Sequence, residues 1–313
     1  MLAATSAPAL SWTAATFTRA SPPTGAPATA AGTGASPDDR LTDQSGASRI
    51  TSVGAMRLMR GGRPLKRWRY VGIFSEELMA CAALVQIGPA RQAFWALYER
   101  AEDRLRERTH TLLRRGTVEL EQGRMRIRDD GVELDLALGE DAGFQARCAH
   151  GRGEVWTRKQ AGIRAQGTLS LRGSAPRTIE ARAVIDDTAG YHARHTEWWW
   201  AAGVGTGTDG AELAWNLVSG VNDPATGSER AVWLGGEPEE APPVSFSADL
   251  RRIHDQHGDE LRFHAEAERR RRENLVLIRS DYRAPFGTFS GTLPGGITLA
   301  HGLGVVEHHR AVW

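Results

Sequence analysis

The stretch Thr117-Val-Glu-Leu-Glu-Gln-Gly-Arg-Met-Arg-Ile-Arg-Asp-Asp-Gly-Val-Glu-Leu-Asp-Leu-Ala-Leu138 decides the class of fold. Val118, Leu120, Met125, Ile127, Val132, Leu134, Leu136 and Leu138 alternate with mostly charged neighbours. That is the period-two pattern of strands with one buried and one wet face. Gln122-Gly123 and Asp130-Gly131 interrupt it where hairpin turns belong.

Working outward, the same rhythm holds from about Ile50 to the C-terminus. It covers Trp68–Phe74 and Leu78–Ile87 on one side. On the other it covers Val155–Arg158, Ile163–Leu171, Thr178–Ile185, the tryptophans near 198, Leu213–Val218, Leu261–Ala267, Leu275–Ser280 and the C-terminal strands. Residues 90–113 fit two patterns, because Phe94, Leu97, Tyr98, Ala101 and Leu105 make a helical stripe while Gln92–Tyr98 suits a strand. We read a strand to about 98, then a short helical or irregular link. Alternation of strands with long helices is absent, which excludes a doubly wound nucleotide fold. Strands numbering about fifteen or more exceed one small barrel, so an all-β chain of two tandem antiparallel barrels or sandwiches is expected. The first would span 49–180 and the second 181–313. Residues 1–48 are rich in Ala, Thr, Ser, Pro and Gly, too poor in large apolar groups to offset ordering entropy, and are expected to be disordered. Their blandness also fits a natural start at Met56.

In 313 residues, 39 Lys+Arg balance 38 Asp+Glu, which excludes a strongly basic nucleic-acid binder. All but Lys66 and Lys159 of the basic residues are arginines. The longest apolar run, Leu78–Val85, falls far short of the roughly 20 residues of a membrane span. Met1–Phe17 has neither a positive n-region nor a continuous apolar core, so no secretory signal is read. Cys81 and Cys148 are expected to remain thiols, and the expected compartment is the cytoplasm.

Chemistry concentrates in His195-Thr-Glu-Trp-Trp-Trp-Ala-Ala-Gly203 and Glu212-Leu-Ala-Trp-Asn-Leu-Val218. On paired strands Glu197 and Trp199 share one face and Trp198 and Trp200 the other. A turn centred near Gly207 sets Trp199 opposite Trp215 and Trp198 opposite Asn216, an aromatic wall with Glu197 or Asn216 as its polar handle. The same tryptophans also suit a packed core. The glycines of 203–210 are a hairpin loop rather than a phosphate loop, since no helix or Gly-Lys-Ser/Thr follows. Arg269–Arg272 reads as a solvated edge balanced by Glu266, Glu268 and Glu273. Near the C-terminus Glu307 and His309 point one way and His308 the other, which suits proton transfer better than a metal site. Tyr282 is placed to donate into a pocket or to pack, while Pro285 and Gly287 suit a bend and Pro294-Gly-Gly296 a hairpin turn. No Gly-x-Ser-x-Gly, His-Glu-x-x-His or Cys-x-x-Cys pattern occurs.

The stretches His192–Gly203, Trp215–Val218, Ser228–Gly236, Ser280–Phe289 and Gly304–His308 resemble the bacterial family called domain of unknown function 2804, over roughly residues 50–313. More distantly, the Glu-Trp and Trp-Asn-Leu pairs are similar to the tandem lipocalin-like group of carotenoid hydratases and tocopherol cyclases. That resemblance implies two lipocalin-like barrels and an apolar pocket for a small hydrophobic molecule of lipid, prenyl or polyene class, with no cofactor and no metal. By that resemblance Glu197 would be the acid, with Trp199 and Trp215 stabilising positive charge. Read with the C-terminal residues, the expectation is a hydratase, cyclase or isomerase with Glu197 or Glu307 as proton donor and His308 as partner. Trp198, Trp200, Asn216, Trp233, Tyr282 and Phe286 complete the expected ligand wall. The opposing expectation is a carrier or structural protein with no chemistry.

Overall fold

The computed structural model describes residues 56–111, 116–275 and 278–313, and every regular element among them is an antiparallel strand. The disorder expected for 1–48 lies outside the described residues. Met59–Arg60 (β1) and Arg63–Pro64 (β2) form a small hairpin.

The first large sheet holds β3 (Lys66–Phe74), β4 (Leu78–Ile87), β5 (Ala90–Glu99), β6 (Arg104–His110), β7 (Val118–Glu121), β8 (Arg124–Asp129), β9 (Val132–Leu138), β10 (Phe144–His150), β11 (Gly153–Leu171) and β12 (Arg177–Gly190). The second holds β13 (His195–Gly207), β14 (Glu212–Ser219), β15 (Ala231–Leu234), β16 (Glu237–Glu240), β17 (Val244–Phe246), β18 (Arg252–Asp255), β19 (Glu260–Leu275), β20 (Ile278–Leu293) and β21 (Ile297–Val312). The two share one plan. The orders β6-β5-β4-β3-β12-β11-β9-β8-β7 and β16-β15-β14-β13-β21-β20-β19-β18-β17 each run as a meander whose first and last strands pair. Each sheet curls until its ends approach, β7 lying against β4 and β5 and β17 against β14. The expectation of two curled all-β units thus holds.

Three apolar clusters follow. Val71, Trp95, Ile127 and Leu136 fill the first curl, and Trp215, Leu217, Phe263 and Phe289 the second. The third cluster lies between the sheets, where Tyr70, Met79 and Val184 meet Trp200, Trp233, Phe286 and Val305. Strands such as β4 and β14 are therefore buried on both faces, which is why their sequences are continuous apolar runs. Arg100 clamps Glu266 across the sheets through two bonds of 2.8 and 2.9 Å.

Several local readings need correction. The expected link after residue 98 is a tight turn followed by a true strand, β6, whose Arg and Glu side chains suit its place at the sheet edge. Val155–Arg158 and Ile163–Leu171 are one strand, β11, kinked by a bulge at Gly162, whose φ of 76° a side chain would resist. Pro285 and Gly287 do not interrupt the strand, since β20 continues through them, and the register irregularity at this point falls opposite, in β19 at Ala265/Ala267. Leu275–Ser280 straddles the β19–β20 connection, of which 276–277 lie outside the described residues. Pro294–Gly296 is a turn, with Gly295 and Gly296 at φ of 99° and 83°.

Candidate active site

The tryptophan hairpin turns around Asp209, two residues beyond the expected centre, because Gly207 bonds Ala211 across the turn. Every pair therefore slides by four residues, so Trp199 faces Ser219, Ala202 faces Asn216 and Gly203 faces Trp215. Trp199 is not opposite Trp215, nor Trp198 opposite Asn216. An even slip preserves faces. Trp198 and Trp200 accordingly share a face with Asn216, and Trp199 shares the other with Trp215. Gly203 is required here, since a Cβ at that position would collide with the Trp215 ring.

The Trp198/Trp200 face looks toward the first sheet, and between the sheets lies a cavity of about 150 Å³. Trp68, Tyr70, Val85 and Phe94 line it from the first sheet, and Trp198, Trp200, Tyr282, Glu307 and His309 from the second. The wall is an aromatic box. Trp68 and Trp198 lie parallel with centroids 6.4 Å apart, and Tyr70 meets Trp200 edge-on at 5.3 Å. The Trp200 indole donates to Asn216 Oδ1 at 2.7 Å, and Asn216 in turn donates to the Glu229 carbonyl, so this amide fixes a ring rather than facing the cavity.

Glu307 is the carboxyl group of the box. Trp198 Nε1 donates to its Oε1 at 2.7 Å, and the Tyr282 hydroxyl is directed at the same carboxyl. Burial pushes its pKa up to about 7, against the opposing pull of those two donors and of Arg269. Burial drives the neighbouring His309 down to about 3, so its imidazole is neutral. Its Nε2 lies 2.8 Å from Ser280 Oγ, and its ring packs 4.3 Å from Trp198.

Arg269 is the residue the sequence reading misplaced. It is 4% exposed, and its guanidinium sits 4.1 Å above Phe94 and 5.1 Å above Tyr282. Thr109 Oγ1 accepts from Nη2 at 2.7 Å, and Glu107 pairs with Nε at 3.4 Å. Both partners stand on β6, the strand not expected from the sequence. The balancing acids are also redistributed: Glu266 binds Arg100, Glu268 binds Arg283, and only Glu273 serves the arginine run, through Arg271. Period-two alternation through Ala267, Arg269 and Arg271 was the available signal.

At the far end of the cavity, Lys159 is buried between Asp186 at 2.8 Å and Glu229 at 3.1 Å. Burial raises the Glu229 pKa against the pull of Lys159, and Asp186 accepts from Trp68 Nε1 at 3.0 Å.

The structure therefore brings together Trp198, Trp200, Tyr282 and Glu307, with Asn216 behind them. Trp233 and Phe286 are buried in the inter-sheet cluster but do not line the cavity. Trp215 lies inside the second curl. Glu197 and His308 are on the opposite face, where His308 Nε2 lies 2.9 Å from Glu197 Oε1, Arg310 donates to the same oxygen at 2.7 Å and Trp199 stacks on His308. Those two salt-bridge partners hold the Glu197 carboxyl below the usual range. Cys81 and Cys148 are buried free thiols. No helix among the described residues is long and apolar enough to cross a membrane.

In fold the chain is similar to kievitone hydratase of Nectria haematococca, with 12% identity, a TM-score of 0.50, and coverage of 78% of this chain and 88% of that one. A crystal structure of a candidate AttH from Nitrosomonas europaea matches at 13% identity and a TM-score of 0.49, over 80% of this chain and 93% of its own. CghA matches at 8% identity and a TM-score of 0.44, over 79% and 87% of the two chains. No curated protein matches the sequence. The family model described as Domain of unknown function (DUF2804) matches residues 149–313, the half that carries β13, β20 and β21, and the chain belongs to that family.

Proposed function

We propose that the chain is a cofactor-independent hydratase, cyclase or isomerase acting on a small hydrophobic molecule held between the two sheets. The observation that supports this reading is Glu307, a buried carboxyl in an aromatic cavity whose pKa is pushed up to about 7. Near neutral pH such a group is present in both forms, so it donates a proton to an unsaturated carbon and takes one back without a second residue of matched pKa. In a hydration, the carboxylic acid protonates one alkene carbon, water adds to the other, and the proton lost from that water returns to the carboxylate. In an isomerisation the returning proton comes from the substrate itself. Trp198 and Tyr282 hold the carboxyl in place, and neutral His309 offers no competing charge. Glu197, with its acidity strengthened by His308 and Arg310 and its position off the cavity, is not suited to this role.

The test begins with denaturing extraction and mass spectrometry of whatever co-purifies with the protein. The compound found is returned in D₂O to wild type and to Glu307→Gln. Deuterium incorporation or product formation by wild type alone, with ligand bound to both, supports the assignment. Ligand bound to both with no exchange in either identifies a carrier and refutes the catalytic reading.

A further inference from the structure

Beside the cavity lies a second group of polar side chains, formed by Arg63, Lys66, His150 and His192, that differs from the Lys159 trio in having no ion-paired acid, Asp223 acting on His150 only from beyond pairing distance. Lys66 is 1% exposed, yet among the described residues no carboxylate lies in ion-pair range of it or of Arg63. Its ammonium donates to the His192 carbonyl at 3.3 Å and lies 4.8 Å from the centre of the Trp313 ring, which leaves donors unused. Arg63 Nη1, His150 Nε2 and both ring nitrogens of His192 are buried without a hydrogen bond of acceptable geometry. The two imidazoles stand 5.6 Å apart, and His192 is 1% exposed. Buried cations and imidazoles are ordinarily paired, because leaving them unmet costs the full desolvation penalty. Lys159, equally buried, shows how this same chain meets that cost with two carboxylates.

The cluster adjoins the cavity, because His192 lines the cavity wall, as does Trp313, whose ring packs against Lys66. We propose that Arg63, Lys66, His150 and His192 form a subsite for the anionic head, a carboxylate or phosphate, of the ligand whose apolar body lies between the sheets. This rests on the reading of the cavity as the ligand site and adds a substrate class: an amphipathic acid rather than a neutral hydrocarbon. An anion there supplies the acceptor oxygens that Arg63 and Lys66 lack, and an imidazole brought to the charged form adds another donor. Burial and the nearby Arg63 hold the Lys66 pKa down to about 8, the direction expected of an ammonium awaiting a counter-charge.

The experiment uses geranic acid, geraniol and inorganic phosphate as probes on the full chain at pH 7. Wild type is expected to bind geranate at least about tenfold tighter than geraniol, the scale of one charge-assisted contact. Lys66→Met and Arg63→Gln should each remove that preference and leave geraniol affinity unchanged; the second variant serves where the first fails to fold. Equal affinity for acid and alcohol in wild type, or a preference that survives both substitutions, overturns the subsite. If neither organic probe binds, the cavity reading fails, and phosphate decides the subsite by itself. Thermal stabilisation of wild type by phosphate over chloride at matched ionic strength, absent in Arg63→Gln, supports it, and identical shifts overturn it. Stabilisation by phosphate together with equal binding of geranate and geraniol overturns the tethered head group in favour of a free anion.

Discussion

Replacing Glu307 by glutamine tests the central electrostatic claim without any substrate. Gln keeps the shape of the protonated acid, still accepts from Trp198 Nε1, and does not ionise. A carboxyl whose folded pKa lies above its unfolded value binds its proton more tightly in the native state. Its contribution is therefore greatest below the unfolded pKa, falls as pH rises through the interval, and levels off above the folded pKa. For Glu307 the interval runs from 4.5 to about 7, and at about 1.4 kcal/mol per pH unit wild type loses about 3 kcal/mol across it. Glu307→Gln has no such loss, so the two proteins should be equally stable near pH 4.5 and the variant ahead by about 3 kcal/mol at pH 8. In a chain of this size that is roughly 4–6 °C in Tm. The assay is urea unfolding followed by tryptophan fluorescence at fixed pH values between 4.5 and 8.5. Taking the difference between the two proteins cancels His309, His192 and the other groups that titrate in both. Parallel curves, with a constant difference across the range, would refute a buried carboxyl of raised pKa and with it the proton-donor role.

Arg269→Met removes a positive charge that holds the Glu307 pKa down, so the midpoint of that stability difference should move to higher pH than in wild type. Glu197→Gln breaks the half-exposed pairs with His308 and Arg310 and should cost at most about 1 kcal/mol, with ligand affinity and turnover unchanged in equilibrium and rate assays. Gly203→Ala forces a methyl group into the Trp215 ring and should destabilise by about 1–3 kcal/mol or more in the same urea assay, with a red-shifted tryptophan spectrum if the indole is displaced.

The class of fold was legible because alternation is local. Each of β7, β8 and β9 has one wet face, and the turns at Gly123 and Asp130-Gly131 take the positive φ values that glycine and aspartate tolerate. Which residues of β13 share a face was legible for the same reason, since that depends only on parity, but which face meets the cavity was not. Register was not. Gly207 and Gly210 are equally good turn residues, and what places the bend at Asp209 is its own bond to the Ala211 amide, together with the room that Gly203 leaves for the Trp215 ring. A polar edge strand was the other blind spot. β6 carries Arg104, Arg106, Glu107 and Arg108, which read as a short helical or irregular link, yet Glu107 and Thr109 reach across to hold Arg269. Alternation through Ala267, Arg269 and Arg271 gives the face of Arg269, but which strand of the other sheet meets it leaves no local trace in either segment.

Arg269 also narrows the chemistry that the cavity suits. An aromatic box alone favours a developing cation, since ring faces are electron-rich. Here two of those faces, on Phe94 and Tyr282, are already occupied by a guanidinium. A carbocation formed beside them would meet a fixed positive charge, and with little water between them the repulsion is only weakly screened. Trp68, Trp198 and Trp200 remain free of that cation, so positive charge is tolerated at the tryptophan end and negative charge is favoured at the Tyr282 end. Between the two stands Glu307, bonded to Trp198 and approached by Tyr282. Such an axis suits a conjugated substrate whose electrons move toward an oxygen near Arg269 while a carbon near Glu307 gains or loses a proton. An isolated polyene would use only half of it, and the polarity of the cavity therefore favours an oxygenated, polarised substrate within the hydrophobic class.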